Sequence, residues 1–428
     1  MYIYIYIYLK GAHMAALPAR REPPPVEPIA PAPVHPLRNR WFRRLWIGSA
    51  ISLLGDQFYL VALPWVVLQI TGSALAMGTI LMAASIPRAV LMLMGGAVAD
   101  RRSPRRILLA TAFGRTVVVG AVGALLWFGV LQTWELYVLG VAFGIADAFS
   151  LPASSAFTPL IVGREQLVAA NSVMQTTAQL TTIAGPAPAG LVIKTLGAAW
   201  AFLIDAISFL FIIAALWTLP DPPRAVSKKK APMWQSVIDG IQYVRQDGAL
   251  SSLILLAAML NVCISGPMSV GLAYMAKTRF GSPAAFGFAV SALAAGGLFG
   301  ALGAGLVNVK RRGVLLLAAS AVIGVCLGAC GFVYHLAAIA ALLAVMGACA
   351  TVTNIHLASW IQGRVDVAVR GRVVSVLMLS AVGLQPLSLV GAGLLAAWSL
   401  TGMFLVAAAA LLTVTVAGAM RSSVRAIA

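Results

Sequence analysis

The sequence predicts an all-α membrane protein in which twelve transmembrane helices form two pseudo-symmetric halves of six helices each. The first observation is composition, because 61% of the 428 residues are hydrophobic, only 10% are charged, and the mean hydropathy is +0.94. A soluble domain of this composition could not cover its surface with polar groups. The second observation is the length of the apolar runs, and the third is a weak internal repeat.

The apolar runs have the length that a bilayer requires. A helix needs about 20 mostly apolar residues to cross the hydrocarbon core. Charged or proline-rich links separate runs of that length along the chain. The predicted spans are 42–70, 75–98, 106–130, 135–161, 166–195, 198–219, 250–277, 284–308, 313–333, 336–361, 370–396 and 399–420.

The basic residues predict the orientation of these spans. They concentrate in alternate links, whereas the links on the opposite side contain only Lys194, Lys277 and Arg279. Basic links of membrane proteins stay on the cytoplasmic side. We therefore expect a multi-pass membrane protein with both termini in the cytoplasm. The net charge of +18 then reflects topology and does not indicate a nucleic-acid partner.

The links also divide the chain into segments. Residues 1–14 contain a Tyr-Ile alternation and a Gly-Ala-His-Met sequence, which indicate an expression tag and scar, and the proline-rich residues 15–40 predict a disordered cytoplasmic tail. The two halves are 41–219 and 250–421, and 422–428 form a cytoplasmic tail. The linker 220–249 has apolar residues at helical spacing, which predicts an amphipathic helix on the inner leaflet or against the cytoplasmic ends of the bundle.

The two halves resemble each other at an offset of roughly 200 residues. Glycines followed by a basic cluster end the second span of each half, at 95–102 and at 303–312. Gly163-Arg164 before the fifth span likewise corresponds to Gly363-Arg364 before the eleventh. Parallel repeats of this kind place a binding site at the interface between the halves.

Ionisable side chains inside the spans are the leading functional candidates, because a charge within a bilayer is costly. Asp56, Arg115 and Asp147, in spans 1, 3 and 4, fall near the bilayer midplane. A carboxyl in a low dielectric favours its protonated form, and a neighbouring guanidinium opposes this. The three residues therefore predict a proton-coupling or substrate site. The alternative is a static buried Asp–Arg pair that fixes helix packing.

Secondary candidates lie in both halves. Asp205 is nearer the outer face of the membrane, and the position of Arg88, towards the cytoplasmic half of span 2, favours a packing or gate role. The second half offers neutral groups suited to hydrogen bonding a substrate, with an interhelical hydrogen bond favoured for its histidine. These residues are Asn261, Asn354, His356 and Gln385.

A charged turn follows span 2. Gly96 and Asp100 lie one helical turn apart and share a face, so a neighbouring helix can approach Gly96 and meet Asp100. Arg101, Arg105 and Arg106 follow. We interpret these residues as a cytoplasmic gate motif, in which Asp100 acts as a latch towards the start of span 11.

A proline inside span 5 predicts a kink. Pro186 has no N–H to donate to the preceding turn, and Gly185 precedes it. An ordinary kink in a membrane helix and a functional bend remain alternatives.

No P-loop, Ser-His-Asp arrangement or metal-ligand cluster occurs in the sequence, and Cys263, Cys326, Cys330 and Cys349 all lie in apolar runs. The sequence thus predicts neither an enzyme nor a cofactor or metal site.

Taken in order along the chain, these features resemble the major facilitator superfamily over about residues 41–420. Within it the chain is similar to the bacterial branch of drug, macrolide and enterobactin exporters. The residues that carry this resemblance are Gly55-Asp56-Gln57, Asp147 with Pro152-Ala153, Ala170-Asn171-Ser172, Gly185-Pro186 with Gly190, Asp205-Ala206-Ile207-Ser208-Phe209 and Arg370-Gly371-Arg372. The resemblance implies that Gly185, Pro186 and Gly190 form an antiporter-like bend that limits leak.

The sequence and the resemblance together predict a proton-coupled exporter of the bacterial inner membrane. It would move an amphipathic small molecule, drug-like or siderophore-like, by alternating access between the halves. The proton gradient would be its energy source. We expect the protein to be a monomer in contact with membrane lipids. A lipid or lysolipid flippase on the same fold is the alternative, and a non-transporting membrane sensor is a more distant one.

Overall fold

The computed structural model describes residues 35–220, 233–306, 311–421 and residue 425, without the side chains at 93–101, 164, 233–237, 306, 367 and 368. The predicted tag at 1–14, most of the predicted tail at 15–40 and nearly all of 422–428 lie outside the described residues. So does the start of the linker, at 221–232.

Side-chain caps mark the starts of two helices in the first half. Asn39 accepts hydrogen bonds from the backbone N–H groups of Trp41 and Phe42, and Ser103 accepts one from Arg106. The helices are α1 (Arg40–Thr71), α2 (Ala74–Arg101), α3 (Pro104–Trp127), α4 (Thr133–Ile161), α5 (Leu167–Ala184), α6 (Pro186–Leu196) and α7 (Ala198–Thr218).

The second half follows an amphipathic linker helix, α8 (Met233–Gln246). Its helices are α9 (Gly248–Gly266), α10 (Leu272–Phe280), α11 (Pro283–Leu306), α12 (Arg312–Cys330), α13 (Leu336–Arg364), α14 (Val367–Gly383), α15 (Gln385–Trp398) and α16 (Leu400–Met420). A π-helical turn, Pro267–Gly271, joins α9 and α10 into one span. Helix α8 lies against α14, because a Cβ at Gly240 would come within 2.5 Å of the Arg372 carbonyl oxygen.

Eleven helices of the described chain are long and apolar enough to cross a membrane, so the predicted count of twelve is not confirmed. The difference is the predicted span 166–195, which the structure divides at Gly185 into α5 and α6, of 18 and 11 residues. Pro186 cannot donate to the carbonyl of Thr182, which ends the regular hydrogen-bond ladder of α5 there. Neither piece alone satisfies the length and hydropathy of a spanning helix.

The same helix pairs pack in both halves. Helix α2 lies along α4, and a Cβ at Gly144 would overlap the carbonyl oxygen of Ala84. At the equivalent place in the second half α11 lies along α13, and a Cβ at Gly347 would overlap the carbonyl oxygen of Leu293. Glycine thus permits the closest helix approach at corresponding places, as the pseudo-symmetry of the fold requires.

The bundle has two sides, which we call the terminal side and the opposite side. On the terminal side, where α1 begins, Asn39 donates to the carbonyl of Ile161 at 3.0 Å, and Arg105 donates to those of Leu216 and Trp217 at 2.7 and 2.8 Å. These contacts bring the starts of α1 and α3 beside the ends of α4 and α7. The other ends of these helices form the opposite side.

The two halves pack against each other towards the opposite side. A Cβ at Gly78 of α2 would come within 2.5 Å of the Leu389 carbonyl oxygen of α15. A Cβ at Gly190 of α6 would come within 2.6 Å of the Pro283 carbonyl oxygen of α11. Both contacts are backbone to backbone, so the opposite side is closed between the halves.

Candidate functional site

Arg115 is the centre of a charge cluster inside the first half. Its Nη1 lies 3.9 Å from Oδ1 of Asp56, and its Nη2 donates a hydrogen bond to Oδ1 of Asp147. Arg88 approaches the same acid from α2, with Nη1 3.5 Å from Oδ2 of Asp147. The structure therefore brings together the three residues that the sequence singles out and places Arg88 beside them, while its packing or gate role stays a prediction.

Aromatic rings surround the guanidinium of Arg115. Its Cζ lies 4.7 Å from the ring centroid of Phe143 and 5.6 Å from that of Phe209. Tyr59 stacks on Phe143 at 3.9 Å between ring centroids. Only 11% of the Arg115 side chain is exposed. A cation held against ring faces and largely out of water interacts strongly with nearby carboxylates.

Asp205 joins this cluster from α7. The residue is 0% exposed, and a Cβ at Gly55 would lie 2.9 Å from its Oδ1, so the carboxyl packs directly against the residue before Asp56. From the sequence alone, Asp205 is expected nearer the outer face, apart from the midplane residues. The missed signal is Gly55, because a glycine beside a buried acid permits the close approach of a second helix.

Gln57 connects the same turn of α1 to the break between α5 and α6. A Cβ at Gly185 would lie 2.5 Å from Cγ of Gln57, so the two residues are in close contact. Pro186 in turn contacts Gly287 of α11, where a Cβ would overlap the proline carbonyl oxygen. Gly190 packs on the start of α11 as described above. The predicted bend residues therefore lie between the charge cluster and the second half.

A cavity of about 150 Å³ lies between α5 of the first half and α9, α11 and α13 of the second. Its polar lining groups are neutral, and Gln179 donates from Nε2 to the Ala294 carbonyl at 3.4 Å. The remaining surface is apolar or backbone. The lining includes Gln179, Thr182, Leu293, Met346, Thr351, Asn354 and Ile355.

A smaller cavity of about 20 Å³ lies within the second half, with room for a single water molecule. Asn261 and Asn354 both line it, and Asn354 borders the larger cavity as well. Asn261 donates from Nδ2 to the Ala257 carbonyl at 2.9 Å. His356 and Gln385 are outside the linings of these two cavities. Of the four neutral candidates, the structure thus brings together Asn261 and Asn354.

The gate motif is described only in part. Gly96, Asp100 and Arg101 belong to α2, but their side chains lie outside the described residues, so the latch hypothesis stays a prediction. Arg105 donates to two carbonyls in the last turn of α7, where a cation interacts favourably with the helix dipole. Arg106 is exposed.

Comparison with known proteins agrees with this architecture. Residues 31–427 match the family model described as transmembrane secretion effector. The chain belongs to this family of the major facilitator superfamily. Its members are transporters and not enzymes. The chain is accordingly a multi-pass membrane protein, and its relatives with curated descriptions are efflux transporters.

Three such relatives are informative. The multidrug efflux pump Tap of Mycolicibacterium fortuitum is 31% identical over 80% of this chain and 86% of its own. Macrolide efflux protein A of Streptococcus pyogenes is 25% identical over 66% of this chain and 71% of its own. The enterobactin exporter EntS of Escherichia coli O139:H28 is 26% identical over 64% of this chain and 66% of its own.

Solved structures agree on the fold. The nucleoside transporter NupG superposes with a TM-score of 0.71 at 12% identity, covering 89% of this chain and 98% of its own. A bacterial homologue of the iron transporter ferroportin, in its inward-facing state, gives a TM-score of 0.70 at 18% identity, with the same coverage of 89% and 98%. These identities indicate a shared fold only.

Proposed function

We propose that this protein is a proton-coupled exporter of amphipathic small molecules in the bacterial inner membrane. The observation that carries the proposal is the charge balance of the cluster. Three carboxyl groups, those of Asp56, Asp147 and Asp205, face the two guanidinium groups of Arg88 and Arg115. With every group ionised the cluster would carry one net negative charge, which is unfavourable in a low dielectric. Binding one proton makes it neutral.

The lining of the cavity between the halves favours a substrate that need not be charged. Its polar groups are amides and hydroxyls, such as Asn354 and Thr351, set among apolar side chains. The relatives named above are a multidrug efflux pump, a macrolide efflux protein and an enterobactin exporter. A pocket for a drug-sized ligand has about 300–1,000 Å³. The cavity of about 150 Å³ would therefore widen as the halves separate to admit a substrate.

Alternating access would use the interface between the halves. The opposite side is closed by the contacts of Gly78 and Gly190, and we propose that the terminal side faces the cytoplasm, in keeping with the basic links. Substrate would enter from the terminal side and leave after the opposite side opens. Protonation would change the electrostatic balance of the first half and so bias the exchange between the two states.

The proposal is tested by efflux of a fluorescent drug from proteoliposomes under an imposed pH gradient. We expect the gradient to accelerate transport in the wild type and in the control Asp239→Asn, which removes a surface carboxylate 3.4 Å from Arg372. Asp147→Asn and Asp56→Asn should abolish the response to the gradient, because each removes a carboxylate partner of Arg115. If both variants responded like the wild type, proton coupling through this cluster would be wrong.

A further inference from the structure

We propose that Asp205 is the proton-binding site of the cluster in the conformation described here, and that it holds the proton as a neutral carboxylic acid. This inference rests on the proposed proton coupling for its functional meaning. The state of the carboxyl itself can be measured without substrate or gradient. It assigns the cluster's single excess proton to one of three acids.

The three acids differ in their cationic partners. Asp147 is paired with both Arg115 and Arg88, and Asp56 lies 3.9 Å from Arg115. Asp205 is 0% exposed and takes part in none of the ion pairs found among the described residues. Neither of its carboxyl oxygens accepts a hydrogen bond from the described part of the chain. A carboxylate in that position would be an uncompensated buried charge, which strongly favours the neutral form.

Ser208 suits a neutral acid better than a carboxylate. Its Oγ donates its one hydrogen to the backbone carbonyl of Asp205 at 2.7 Å. A serine hydroxyl has one donor and two lone pairs, so towards the Asp205 carboxyl it can offer only an acceptor. A protonated carboxyl has a hydrogen to donate and a carboxylate has none. Gly55 brings the two groups into one pocket, because a Cβ there would contact both the hydroxyl and Oδ1.

The other ionisable groups that face Asp205 are few. Helix α1 contributes Asp56 and Tyr59, and α3 contributes Arg115. Arg105 of α3 binds the far end of α7, and Lys194 of α6 is exposed. A second carboxyl nearby disfavours ionisation of both acids at once. Because the Arg115 guanidinium binds Asp147 and faces Asp56, we assign the excess negative charge to Asp205, where the proton removes it.

Infrared spectroscopy of the purified protein at neutral pH tests the proposal. We expect a carbonyl stretching band of a protonated carboxylic acid, with a shift in D₂O, in the wild type and in the control Asp239→Asn. The band should be lost in Asp205→Asn, whose amide has the shape of the neutral acid and should leave folding intact. A wild type without the band, or an Asp205→Asn protein that keeps it, would overturn the assignment.

Ser208→Ala provides a second variant if Asp205→Asn fails to fold. The band should remain in Ser208→Ala but move to higher frequency, because the proposed hydrogen bond from the protonated Asp205 carboxyl to the Ser208 hydroxyl can no longer form. A band at an unchanged frequency in Ser208→Ala would contradict the proposed hydrogen bond between Asp205 and Ser208. The spectra stay decisive even if transport proves independent of the pH gradient, so failure of the proposed function and failure of this assignment give different results.

Discussion

At the scale of single residues, the cluster depends on the shape of the Arg115 side chain. A planar guanidinium presents several N–H groups in a fixed fork, so one side chain can face Asp56 with Nη1 while Nη2 binds Asp147. A lysine ammonium is a point charge and cannot bridge two acids in the same way. The π-faces of Phe143 and Phe209 also favour a flat cation.

Replacement of Arg115 should therefore destabilise the protein strongly. Arg115→Gln breaks a buried ion pair and leaves its partners uncompensated, which typically costs about 3–5 kcal/mol. Arg115→Lys keeps the charge but cannot bridge the two acids, so its loss of stability should be smaller than that of Arg115→Gln. Thermal unfolding in detergent measures the stability of both variants. The matched control is Arg364→Gln, because Arg364 is 51% exposed and pairs with Asp247 at the surface, where a pair contributes about 0–1 kcal/mol. Equal losses in the two glutamine variants would contradict a buried role for Arg115.

Asp247 has two separable roles at the start of α9. Its Oδ1 accepts hydrogen bonds from the N–H groups of Ala249 and Leu250 at 2.9 and 3.2 Å, and its Oδ2 accepts one from Arg364 at 2.8 Å. Asp247→Asn keeps the helix cap but loses the ion pair, whereas Asp247→Ala loses both. We expect the alanine variant to be less stable than the asparagine variant by about 1 kcal/mol in thermal unfolding.

The contribution of the Asp247 ion pair should also depend on pH. Burial raises the pKa of this carboxyl, but the hydrogen bonds from Arg364 and the two N–H groups outweigh burial and hold the pKa below its ordinary value of 3.8. A depressed folded-state pKa contributes stability above the unfolded-state value and loses it as the pH falls through the folded-state value. The advantage of wild type over Asp247→Asn should thus be constant near neutral pH and shrink below 3.8. An advantage that grew on acidification would contradict this sign.

Sequence alone can identify candidate residues where a charge interrupts an apolar run, and the structure places three of them together. Asp56, Arg115 and Asp147 stand out because charge in a span is rare, and the depth of each follows from its position along a helix. The partners of Asp205 could not be predicted in this way. The depth of Asp205 along α7 does not say which neighbouring helix the residue faces, and the close approach of α1 depends on Gly55.

At the scale of elements, the break between α5 and α6 is where α1 meets the interface between the halves. Three successive residues of α1 face different partners: Gly55 faces Asp205, Asp56 faces Arg115, and Gln57 packs on Gly185. One turn of α1 therefore contacts both the charge cluster and the bend. If protonation shifted this turn, the contact of Gln57 with Gly185 would change, and the contact of Pro186 with α11 would change with it.

The packing at the bend predicts the effect of a single methyl group. Gly185→Ala places a Cβ 2.5 Å from Cγ of Gln57, and such overpacking costs about 1–3 kcal/mol. Adding Gln57→Gly, which removes both the Cγ at 2.5 Å and the Cβ at 2.6 Å, should relieve part of this loss, with a coupling of about 0.5–3 kcal/mol in a double-mutant cycle of unfolding free energies. Gly114→Ala is the matched control, since a Cβ there meets nothing within 4 Å. Strictly additive effects at 57 and 185 would show that the contact is unimportant.

Most helix positions could be predicted because hydropathy and basic links mark spans independently of tertiary packing. The exception, 166–195, contains Asn171, Gln175 and Gln179 together with the Gly185-Pro186 break, so it is neither uniformly apolar nor continuous. Of these polar residues, Gln179 lines the cavity between the halves, Gln175 is partly buried and Asn171 is exposed. Span length alone does not report such a discontinuous helix.

At the scale of the whole molecule, the two halves share their packing but not their chemistry. The first half carries the buried charge cluster, whereas the second half supplies amides and hydroxyls, notably Asn261 and Asn354, to the two cavities. This asymmetry is visible in the sequence as an absence of deep charge in 250–421. The residues that line the cavity cannot be read from the sequence, because helices that are apolar on every face give no periodic signal for their orientation.

The closed opposite side includes one hydrogen bond between the halves from a charged donor. Lys277, near the end of α10, donates from Nζ to the carbonyl of Leu68 near the end of α1. A cation at a helix C-terminus is favourable, and a hydrogen bond from a charged group contributes about 1.5–3 kcal/mol. Opening of the opposite side must break this bond, so it stabilises the closed state.

Lys277→Gln should therefore shift the molecule towards an open opposite side, by about tenfold or more in the ratio of open to closed populations. Electron-electron distance measurements between spin labels at the exposed positions Val130 and Phe332, one in each half, would report this as a longer distance. Lys194→Gln removes an exposed lysine from α6 near the same side and should leave the distribution unchanged. If both variants kept the wild-type distances, the Lys277 bond would not be part of the closure, and the backbone contacts at Gly78 and Gly190 would hold the opposite side closed on their own.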